Sequence, residues 1–205
     1  MSIVFYKAST MSSASPVSWA LAELGVPHET VTFDLAARDQ KKPQFLKLNP
    51  NGKVPTLVVD GTSMFEGLAI ILFLAERYGV DKKLWPEQND PARMQALSWC
   101  VWGYVSLGPL IARLSLATSE RFGKELHNAA QAELARSELA NLLGILDARL
   151  STRPYMLGDS FSLVDVVGAS LVQYGKFSGV LIDPHRHVSE WVARCQSRPA
   201  VSDRG

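Results

Sequence analysis

Hydrophobic and polar positions follow different patterns in the two halves of the chain. In the first half, short apolar or alternating runs, which are typical of strands, are separated by apolar stripes with the period of a helix. The first predicted elements are a strand over Ile3–Tyr6, a helix with Ser15 as N-cap, Pro16 as first residue and Gly25 as stop, and a strand over His28–Asp34. A weak helix over Gln40–Leu48, interrupted by Pro43, comes next. The last elements of this half are a hairpin of Thr56–Val59 and Ser63–Phe65 around Asp60-Gly61 and a helix over Glu66–Tyr78.

After a polar connector, DKKLWPEQND, the strand pattern ends and only helical stripes follow. Helices of this kind are expected to pack together as a bundle. The first predicted element is a long helix from Pro91 to Ala117 with a bend at Pro109. A second helix is predicted over Glu120–Leu150, with an apolar stripe of Leu126, Ala130, Leu134, Leu139, Leu142 and Leu146. Then follow a buried helix that starts with a capping box of Ser162 and Asp165, with Phe161 in contact with Val166 as a hydrophobic staple, and a last helix over His187–Gln196.

These elements predict a fold of the α/β plus all-α kind. Residues 1–80 form a mixed four-stranded sheet with helices on its faces, residues 81–90 are a linker, and residues 91–205 are an all-helical domain. Because a strand, a helix and a strand follow one another at the start of the chain, the first two strands are expected to be parallel.

Composition excludes several classes of function. With 205 residues, 47% hydrophobic and 20% charged residues, and a net charge of +1, the chain is typical of a soluble globular protein and a poor partner for nucleic acid. The longest uninterrupted apolar run, Leu68–Ala75, is short for a membrane helix, and the start lacks an export signal. Two isolated cysteines favour a reducing cytoplasm, and no metal-ligand spacing is present.

Candidate chemistry begins with the motif NPNGKVPTL, Asn49 to Leu57, which is followed by FEGLAI, Phe65 to Ile70. Pro55 stands at the mouth of a strand although proline cannot donate to a sheet ladder. If the Val54–Pro55 bond is cis, the N–H and C=O of Val54 face outward, where an extended peptide can pair with them as a strand does.

Three motifs follow one another here: Val-Pro after Gly-Lys, the Asp-Gly hairpin, and Glu66-Gly67 at the start of an apolar helix. This order of motifs resembles the thioredoxin-like half of cytosolic glutathione S-transferases. The chain is most similar to the bacterial beta class, and the resemblance runs over its whole length. It implies a thioredoxin-like N-terminal domain, glutathione as co-substrate, and conjugation of the glutathione thiolate to a small hydrophobic electrophile. It also implies a cytoplasmic homodimer that serves in detoxification.

The resemblance assigns a glutathione site to the first domain. The cysteinyl main chain of glutathione pairs with Val54 beside Pro55, the Glu66 carboxylate binds the γ-glutamyl ammonium, and the Gly67 N–H binds the γ-glutamyl carboxylate at a helix N-terminus. The alternative for Glu66 is that an acidic residue simply favours the start of its own helix.

Basic residues are candidates for the glycyl carboxylate of glutathione. Arg38 lies four residues after Asp34, where the beta class tends to carry a lysine, and Lys41 and Lys42 are its rivals. A solvated loop charge is the alternative for Arg38. Lys53, which together with Asn49 shapes the loop, is grouped with the glutathione-binding residues.

The catalytic residue of the resembled family belongs in the loop KASTMSSAS. In the beta class it is a cysteine four residues before a Ser-Pro proline, and counting back from Pro16 gives Ser12. A serine cannot form a mixed disulfide with glutathione, but its hydroxyl can donate a hydrogen bond to the thiolate, as in other classes of the family. Ser13 is the second candidate, Ser9, Thr10 and Tyr6 remain open, and loop serines also serve as turn formers.

The acceptor pocket is predicted on the long helix from Pro91, where Trp102, Tyr104 and Leu107 would contact an apolar electrophile. Trp99 is a further candidate for this pocket, but it is interpreted first as a core residue, since aromatic residues at helical spacing are more often core. Cys100 and Cys195 are interpreted as inert buried thiols.

Two other functions stay open. One is a glutathione-dependent peroxidase, lyase or disulfide reductase on the same fold, although a serine at position 12 counts against disulfide exchange. The other is a non-catalytic protein that binds glutathione or a hydrophobic ligand.

Overall fold

The computed structural model describes residues 2–120, 122–180 and 182–204, and it divides the chain into two compact units. The first unit extends to Pro86 and includes the chain again from Arg198, and the second is Glu87–Ser197. Residues from Arg198 onward were expected in the helical domain. They belong with the first unit because the Arg198 guanidinium donates to both carboxylate oxygens of Glu23, each at 2.7 Å.

A mixed four-stranded sheet in the order β2-β1-β3-β4 forms the centre of the first unit. β1 pairs in parallel with β2 and antiparallel with β3, which pairs antiparallel with β4. This is the predicted sheet, including the parallel first pair. The elements of the unit are β1 (Ile3–Ala8), α1 (Ser15–Leu24), β2 (Glu29–Phe33), α2 (Pro43–Leu46), β3 (Thr56–Val59), β4 (Thr62–Phe65) and α3 (Gly67–Leu74).

Opposite faces of the sheet carry different side chains, since successive residues of a strand point to opposite sides. On one face, Phe5 and its cross-strand partner Leu57 are buried, and α1 and α3 pack against each other. On the other face, the rings of Tyr6, Phe33 and Phe45 form a cluster with centroids 4.7–5.7 Å apart. The sheet is therefore covered on both faces, as the thioredoxin-like prediction requires.

The ends of the helices in this unit differ in part from the prediction. Ser15 is the first residue of α1 rather than its N-cap; Ala14 takes that position without a capping side chain. At the other end, Gly25 closes α1 as predicted, with φ of 59°, a left-handed conformation that favours glycine. α3 ends at Leu74, earlier than predicted, and continues as a π-helical turn over Ala75–Gly79.

The second unit is all-helical, as predicted. Among its described residues there is no strand, only one isolated bridge between Tyr155 and Gly158. Its helices are α4 (Ala92–Trp102), α5 (Gly108–Thr118), α6 (Ala129–Leu150), α7 (Leu163–Phe177) and α8 (Arg186–Gln196).

A π-helical turn, Gly103–Leu107, joins α4 to α5 and replaces the single bend expected at Pro109. Pro109 has no N–H to donate to the carbonyl four residues earlier, so regular α-helix is already interrupted before it. Gly103 stands at the start of the turn, where a Cβ atom would lie 2.9 Å from Leu171 Cδ1 of α7. A glycine here lets α7 approach closely.

Prediction of α6 was wrong at its start. The helix begins at Ala129 rather than Glu120, because the Asn128 side chain caps it by accepting the Gln131 N–H at 3.0 Å. The predicted apolar stripe is confirmed in part: Leu139 and Leu146 are buried, whereas Leu126 and Leu134 are exposed. The buried face of the helix also includes Ala132, Ala135, Leu143 and Leu150.

The Asp165 carboxylate organises the buried start of α7. It accepts hydrogen bonds from the Ser162 N–H and Oγ–H (2.9 and 2.8 Å), from the Met156 N–H (2.8 Å) and from Trp191 Nε1 (2.9 Å). Burial raises the pKa of this carboxyl group, and the hydrogen bonds oppose the rise. The predicted capping box is present, and its acid also ties α7 to α8.

The continuous helical stretch Ala92–Thr118 is, by length and composition alone, long and apolar enough to cross a membrane, and the mean hydropathy of its most apolar window is 1.3. The sequence pattern did not predict a membrane-spanning segment here, because polar residues interrupt the apolar residues of this helical stretch. Of that window, 39% is buried inside the protein, and core helices of soluble proteins can be as long and as apolar.

Candidate functional site

Asn49 builds the turn that carries Val54 and Pro55. Its buried side chain donates to the Lys53 carbonyl at 2.8 Å and to Thr56 Oγ1 at 3.0 Å, and its Oδ1 accepts the Asn51 N–H at 3.1 Å. The Val54–Pro55 peptide bond is cis. Asn49 therefore holds both ends of the turn, which is the loop-shaping role that its sequence context indicated.

The backbone of Val54 has one engaged group and one that has no partner among the described residues. Its carbonyl accepts a hydrogen bond from Ser13 Oγ at 2.8 Å, whereas no described residue accepts from its N–H. A carbonyl oxygen has two lone pairs, so one remains for a further donor. The Ser13 bond also fixes the hydroxyl-rich loop directly against the Val54 turn.

Ser12 lies in a tight turn immediately before α1. Its N–H donates to Ser15 Oγ at 3.1 Å, its carbonyl accepts the Ser15 N–H at 3.0 Å, and its own Oγ accepts the Ala14 N–H at 3.2 Å. The hydroxyl hydrogen of Ser12 has no acceptor among the described residues. The side chain is half-buried at the positive end of the α1 dipole, so it can donate to an anion there.

The other hydroxyl candidates of the first domain differ from Ser12 in their surroundings. The Tyr6 ring belongs to the aromatic cluster with Phe33 and Phe45 on the sheet face opposite Phe5. Ser9 and Thr10 are exposed. The structure therefore brings Ser12 and Ser13, rather than Tyr6, to the junction of the loop and the Val54 turn.

Glu66 has an unusual backbone conformation immediately before α3. Its φ of 71° and ψ of 117° lie outside the common regions for a residue with a side chain, and its side chain is exposed. The Glu66 carbonyl accepts the Ile70 N–H at 3.0 Å. The next residue, Gly67, is buried and begins α3, so its N–H has no acceptor within the helix.

The four basic candidates differ in what they already bind. Lys41 Nζ donates to the Asn51 carbonyl at 3.0 Å, and Lys42 pairs with Asp39 at 2.6 Å, which lowers the pKa of the Asp39 carboxyl group. Arg38 and Lys53 are exposed and have no partner among the described residues. Arg38 also has a left-handed backbone, with φ of 60°. The two lysine rivals are thus engaged, while Arg38 remains available.

The predicted acceptor residues belong to the helical unit. Leu107 is 1% exposed and is a core residue of that unit, whereas Trp102 and Tyr104 are half-buried. The rings of Trp99 and Trp102 meet edge to face with centroids 5.2 Å apart, and the Arg149 guanidinium lies 4.7 Å over the Trp99 ring. The Trp99 ring is thus packed between Trp102 and Arg149 and is not open to a substrate.

Cys100 and Cys195 are free and buried. Burial, and secondarily the charge of Asp165, raises the pKa of the Cys100 thiol from its ordinary value of 9.0 to about 12. A thiol of this kind stays protonated at neutral pH. Among the described residues, no group of three histidine, cysteine or acidic side chains is placed to hold a metal ion.

Comparison with known proteins places the chain in a family. The model of the glutathione S-transferase N-terminal domain matches residues 10–77, and the model of the glutathione S-transferase C-terminal domain matches residues 110–199. A glutathione S-transferase of Hyoscyamus muticus is 33% identical over 189 residues, which are 89% of this chain and 87% of the relative. The chain belongs to the glutathione S-transferase family.

Two further similar proteins are described by different activities, disulfide-bond oxidoreductase and glutathione transferase. The disulfide-bond oxidoreductase YfcG of Escherichia coli is 29% identical over 193 residues, which are 88% of this chain and 84% of the relative. A solved structure of a glutathione transferase from Burkholderia graminis, with two glutathione molecules bound per subunit, is 30% identical with a TM-score of 0.87. That match covers 99% of this chain and 87% of the solved one.

Proposed function

We propose that this chain is a glutathione transferase that joins the thiolate of glutathione to a small hydrophobic electrophile. The observation that carries the proposal is the hydrogen bond from Ser13 Oγ to the Val54 carbonyl. It joins the loop of the candidate catalytic hydroxyl to the backbone group that would hold the cysteinyl part of glutathione, so both meet in one place.

Glutathione would lie as an extended strand beside Val54 and Pro55. The Val54 N–H and the free lone pair of its carbonyl pair with the cysteinyl main chain, since these are the groups a strand partner uses. The Glu66 carboxylate binds the γ-glutamyl ammonium, and the Gly67 N–H at the start of α3, which no described residue accepts, binds the γ-glutamyl carboxylate.

Arg38 is the proposed partner of the glycyl carboxylate. Its guanidinium has no partner among the described residues, whereas Lys41 and Lys42 are engaged. A guanidinium can hold a carboxylate through two parallel hydrogen bonds. Lys53, exposed beside Val54, would add positive charge at the same end.

Ser12 would supply the chemistry by donating its hydroxyl hydrogen to the glutathione sulfur. A free thiol has a pKa of about 8.5, so only a small fraction is thiolate at pH 7. A hydroxyl donor at the positive end of α1 stabilises the anion, and each unit by which the pKa falls gives about tenfold more thiolate. The thiolate attacks an electrophilic carbon, a carbon–sulfur bond forms, and the leaving group departs with its electron pair, or an activated double bond takes up a proton.

Within the family, the beta class is the proposed affiliation, with Ser12 at the position of its cysteine. Serine lacks the thiol needed for a mixed disulfide with glutathione. The reaction would therefore depend on a hydrogen bond to the thiolate and on holding the two reactants together.

The electrophile would meet the helical unit at Trp102 and Tyr104. Both side chains are half-buried, which leaves aromatic surface for an apolar molecule. Leu107 would support these side chains from the core, because it is almost fully buried.

A homodimer is the proposed assembly, and an apolar stripe on α4 and the π-helical turn supports it. Met94, Leu97, Val101 and Val105 follow one another at intervals of one helical turn and are 71%, 37%, 44% and 67% exposed. Such a stripe is typical of a surface that a protein partner covers. A cytoplasmic location and a role in detoxification belong to the same proposal.

Calorimetric titration with glutathione tests the proposal. If Ser12 stabilises the thiolate, binding near neutral pH releases protons, so the measured heat changes between buffers of different ionisation enthalpy. Binding without proton release would support a non-catalytic glutathione carrier instead. Absence of binding would contradict the transferase and the carrier together.

A second candidate is reduction of small disulfides by bound glutathione, and the match to a disulfide-bond oxidoreductase favours it. This reaction needs no cysteine at position 12 if two glutathione molecules supply the two sulfur atoms of the disulfide that is formed. One glutathione thiolate attacks the substrate disulfide and expels a substrate thiolate. A second glutathione thiolate then attacks the glutathione sulfur of the mixed disulfide, which gives glutathione disulfide and expels the other substrate thiolate. The substrate is reduced by two electrons while two glutathione molecules are oxidised.

Assays with both kinds of substrate separate the two candidates. Conjugation of an aryl halide or an activated alkene supports the transferase. Formation of glutathione disulfide from a hydroxyalkyl disulfide, without conjugation, supports the disulfide reductase.

A further inference from the structure

Three arginine residues of the second unit lie at the short loop that follows α6. Arg149, in the last turn of α6, donates from Nε to the Met156 carbonyl at 2.8 Å. Arg194, on α8, donates from Nη1 to the Pro154 carbonyl at 2.6 Å. Arg153 belongs to the loop itself. We call these three half-buried arginines the arginine cluster. It contains none of the proposed glutathione-binding residues.

The guanidinium groups of Arg149 and Arg194 are held in fixed positions. Arg149 lies 4.7 Å over the Trp99 ring and also donates from Nη2 to Gln95 Oε1 at 2.8 Å. Arg194 lies 5.6 Å over the Tyr155 ring. A guanidinium group has more N–H donors than these bonds use, so both groups keep donors that no described residue accepts. Because both groups are fixed before a ligand arrives, binding costs little side-chain entropy.

The guanidinium group of Arg153 has no hydrogen-bond partner among the described residues. Its Nε atom is buried, and a buried donor of a charged group is costly when it stays unpaired. Its Nη1 and Nη2 atoms are also unpaired, but they are not buried. An anion can therefore reach the two Nη groups of Arg153, although Nε itself is closed to it.

The protein does not balance the positive charge of the arginine cluster. No acidic residue in the described part of the chain forms an ion pair with Arg149, Arg153 or Arg194. Glu190, one helical turn before Arg194 on α8, pairs with Arg186 at 2.8 Å. Burial, and secondarily the charge of Arg153, lowers the pKa of Arg149. The guanidinium groups of Arg149 and Arg153 thus repel each other, and a bound anion would relieve that repulsion.

The buried carboxylate of Asp165 offsets only part of this charge. It partly opposes the fall in the pKa of Arg149. However, the hydrogen bonds that it accepts from described residues come from Ser162, Met156 and Trp191. A positive charge that stays unpaired in a half-buried place favours an anion from outside the protein.

We propose that the arginine cluster binds a phosphate group, which belongs either to inorganic phosphate or to a small phosphate monoester. The Nη groups of Arg153 donate to two phosphate oxygens, since the planar guanidinium fork matches the geometry of a phosphate. The charges of Arg149 and Arg194 add to the attraction. A phosphate monoester carries about 1.5–2 negative charges at pH 7, which is more than a carboxylate offers to the three guanidinium groups.

Inorganic phosphate and phenyl phosphate are the probes, with acetate and chloride as anions of single charge. Calorimetry at constant ionic strength gives each affinity for the full-length protein, and amide chemical shifts locate the bound anion. We expect phosphate to bind at least about tenfold more tightly than acetate or chloride and to shift the amides of Arg153, Tyr155 and Met156. Tighter binding of phenyl phosphate than of inorganic phosphate would identify a monoester as the ligand, and the reverse order would identify free phosphate.

Arg153→Met is the decisive variant, because methionine keeps an unbranched apolar side chain and removes the charge. We expect it to bind phosphate about tenfold more weakly. Arg153→Lys keeps the charge without the fork, so its affinity should be intermediate. Arg136→Met is the matched control, since Arg136 is an exposed arginine of α6 outside the arginine cluster. Its phosphate affinity should equal that of the natural chain.

Stability distinguishes a ligand site from a structural role of Arg153. Without phosphate, the midpoint of urea unfolding of Arg153→Met should equal or exceed that of the natural chain, because the removed group has no partner and repels Arg149. Phosphate at ten times its Kd should raise the midpoint of the natural chain, and the midpoint of Arg153→Met should respond less.

Three binding results would overturn the proposal. They are no binding of phosphate in the millimolar range, equal affinities for phosphate and acetate, or unchanged phosphate affinity in Arg153→Met. Displacement of phosphate by glutathione would also contradict it, because the anion would then occupy the Val54 turn. A marked loss of stability in Arg153→Met without phosphate would show that Arg153 serves the fold and not a ligand.

Discussion

Ser12 and Ser13 are neighbours of the same residue type, yet their hydroxyl hydrogens differ in what they bind. Ser13 donates to the Val54 carbonyl at 2.8 Å, while the hydrogen of Ser12 has no acceptor among the described residues. One serine therefore positions the loop, and the other is available to an incoming sulfur.

Alanine substitutions distinguish the two roles. Ser12→Ala removes the donor to the thiolate, so we expect kcat for conjugation to fall at least tenfold and the pKa of bound glutathione to rise by about one unit, with KM for glutathione almost unchanged. The pH dependence of the rate gives this pKa. Ser13→Ala is the matched control: it should lower stability by about 1 kcal/mol and raise KM without moving the pKa. The opposite result would exchange their roles.

Glu66 keeps a backbone conformation that glycine would adopt at lower cost, with φ of 71° and ψ of 117°. Strain of this kind costs about 1–3 kcal/mol and is typical of functional positions. We expect Glu66→Gly to raise the free energy of unfolding by about 1 kcal/mol, after the extra chain entropy of glycine is subtracted, while glutathione affinity falls.

Glu66→Gln is the control for Glu66→Gly, because it keeps the strained backbone and removes only the charge. Its stability should equal that of the natural chain, and its glutathione affinity should fall. Urea unfolding and calorimetry measure the two quantities. If Glu66→Gly bound glutathione as tightly as the natural chain, the assignment of the ammonium to Glu66 would be wrong.

At the scale of an element, the start of α7 depends on a single carboxylate with four hydrogen-bond donors. Asp165→Asn keeps the shape but turns one acceptor oxygen into an amide that faces donors of Ser162. We expect a loss of about 3 kcal/mol of stability, against about 1 kcal/mol for Ser162→Ala, which removes one bond. Urea unfolding with an unchanged m-value would measure this. Equal losses in the two variants would mean that Asp165 acts only as a cap.

Cys100 in α4 makes the stability of the helical unit sensitive to alkali. Its pKa is about 12 in the folded chain and near 9.0 when unfolded, so the unfolded state loses a proton first as pH rises. The stabilising contribution is complete below about pH 9 and is lost as the pH approaches 12, by about 3 kcal/mol at pH 11. Cys100→Ala should show a smaller alkaline loss in urea titrations at several pH values. Parallel losses in both proteins would contradict this.

Sequence patterns predicted elements well where the signal was local. Thr56–Val59 was placed with its observed bounds because an apolar run meets an Asp-Gly turn, and Gly25 marked the end of α1. The start of α6 was missed because the cap signal of Asn128 was not used and Leu126 was counted in the stripe. The Ser13–Val54 bond joins residues 41 positions apart, so no local pattern could predict it.

At the scale of the whole molecule, the apolar stripe of Met94, Leu97, Val101 and Val105 provides the test of assembly. Val101→Glu places a charge in its centre, so we expect a homodimer to dissociate into folded monomers. Ile145→Glu is the control, because Ile145 is also exposed, at 49%, but lies on α6 outside the stripe. Sedimentation gives the molar mass. A dimer in both variants, or a monomeric natural protein, would rule the stripe out as the dimer surface.

The pairing of Arg198 with Glu23 spans 175 positions of the chain. Glu23 also accepts the Trp19 indole N–H at 3.0 Å. Through Glu23, α1 is therefore bound to Arg198, a residue that the ribosome adds much later. During synthesis the sheet and its helices emerge long before Arg198, so this contact of the first unit forms only after residue 198 has been made. An isolated fragment ending at Pro86 would lack that contact permanently.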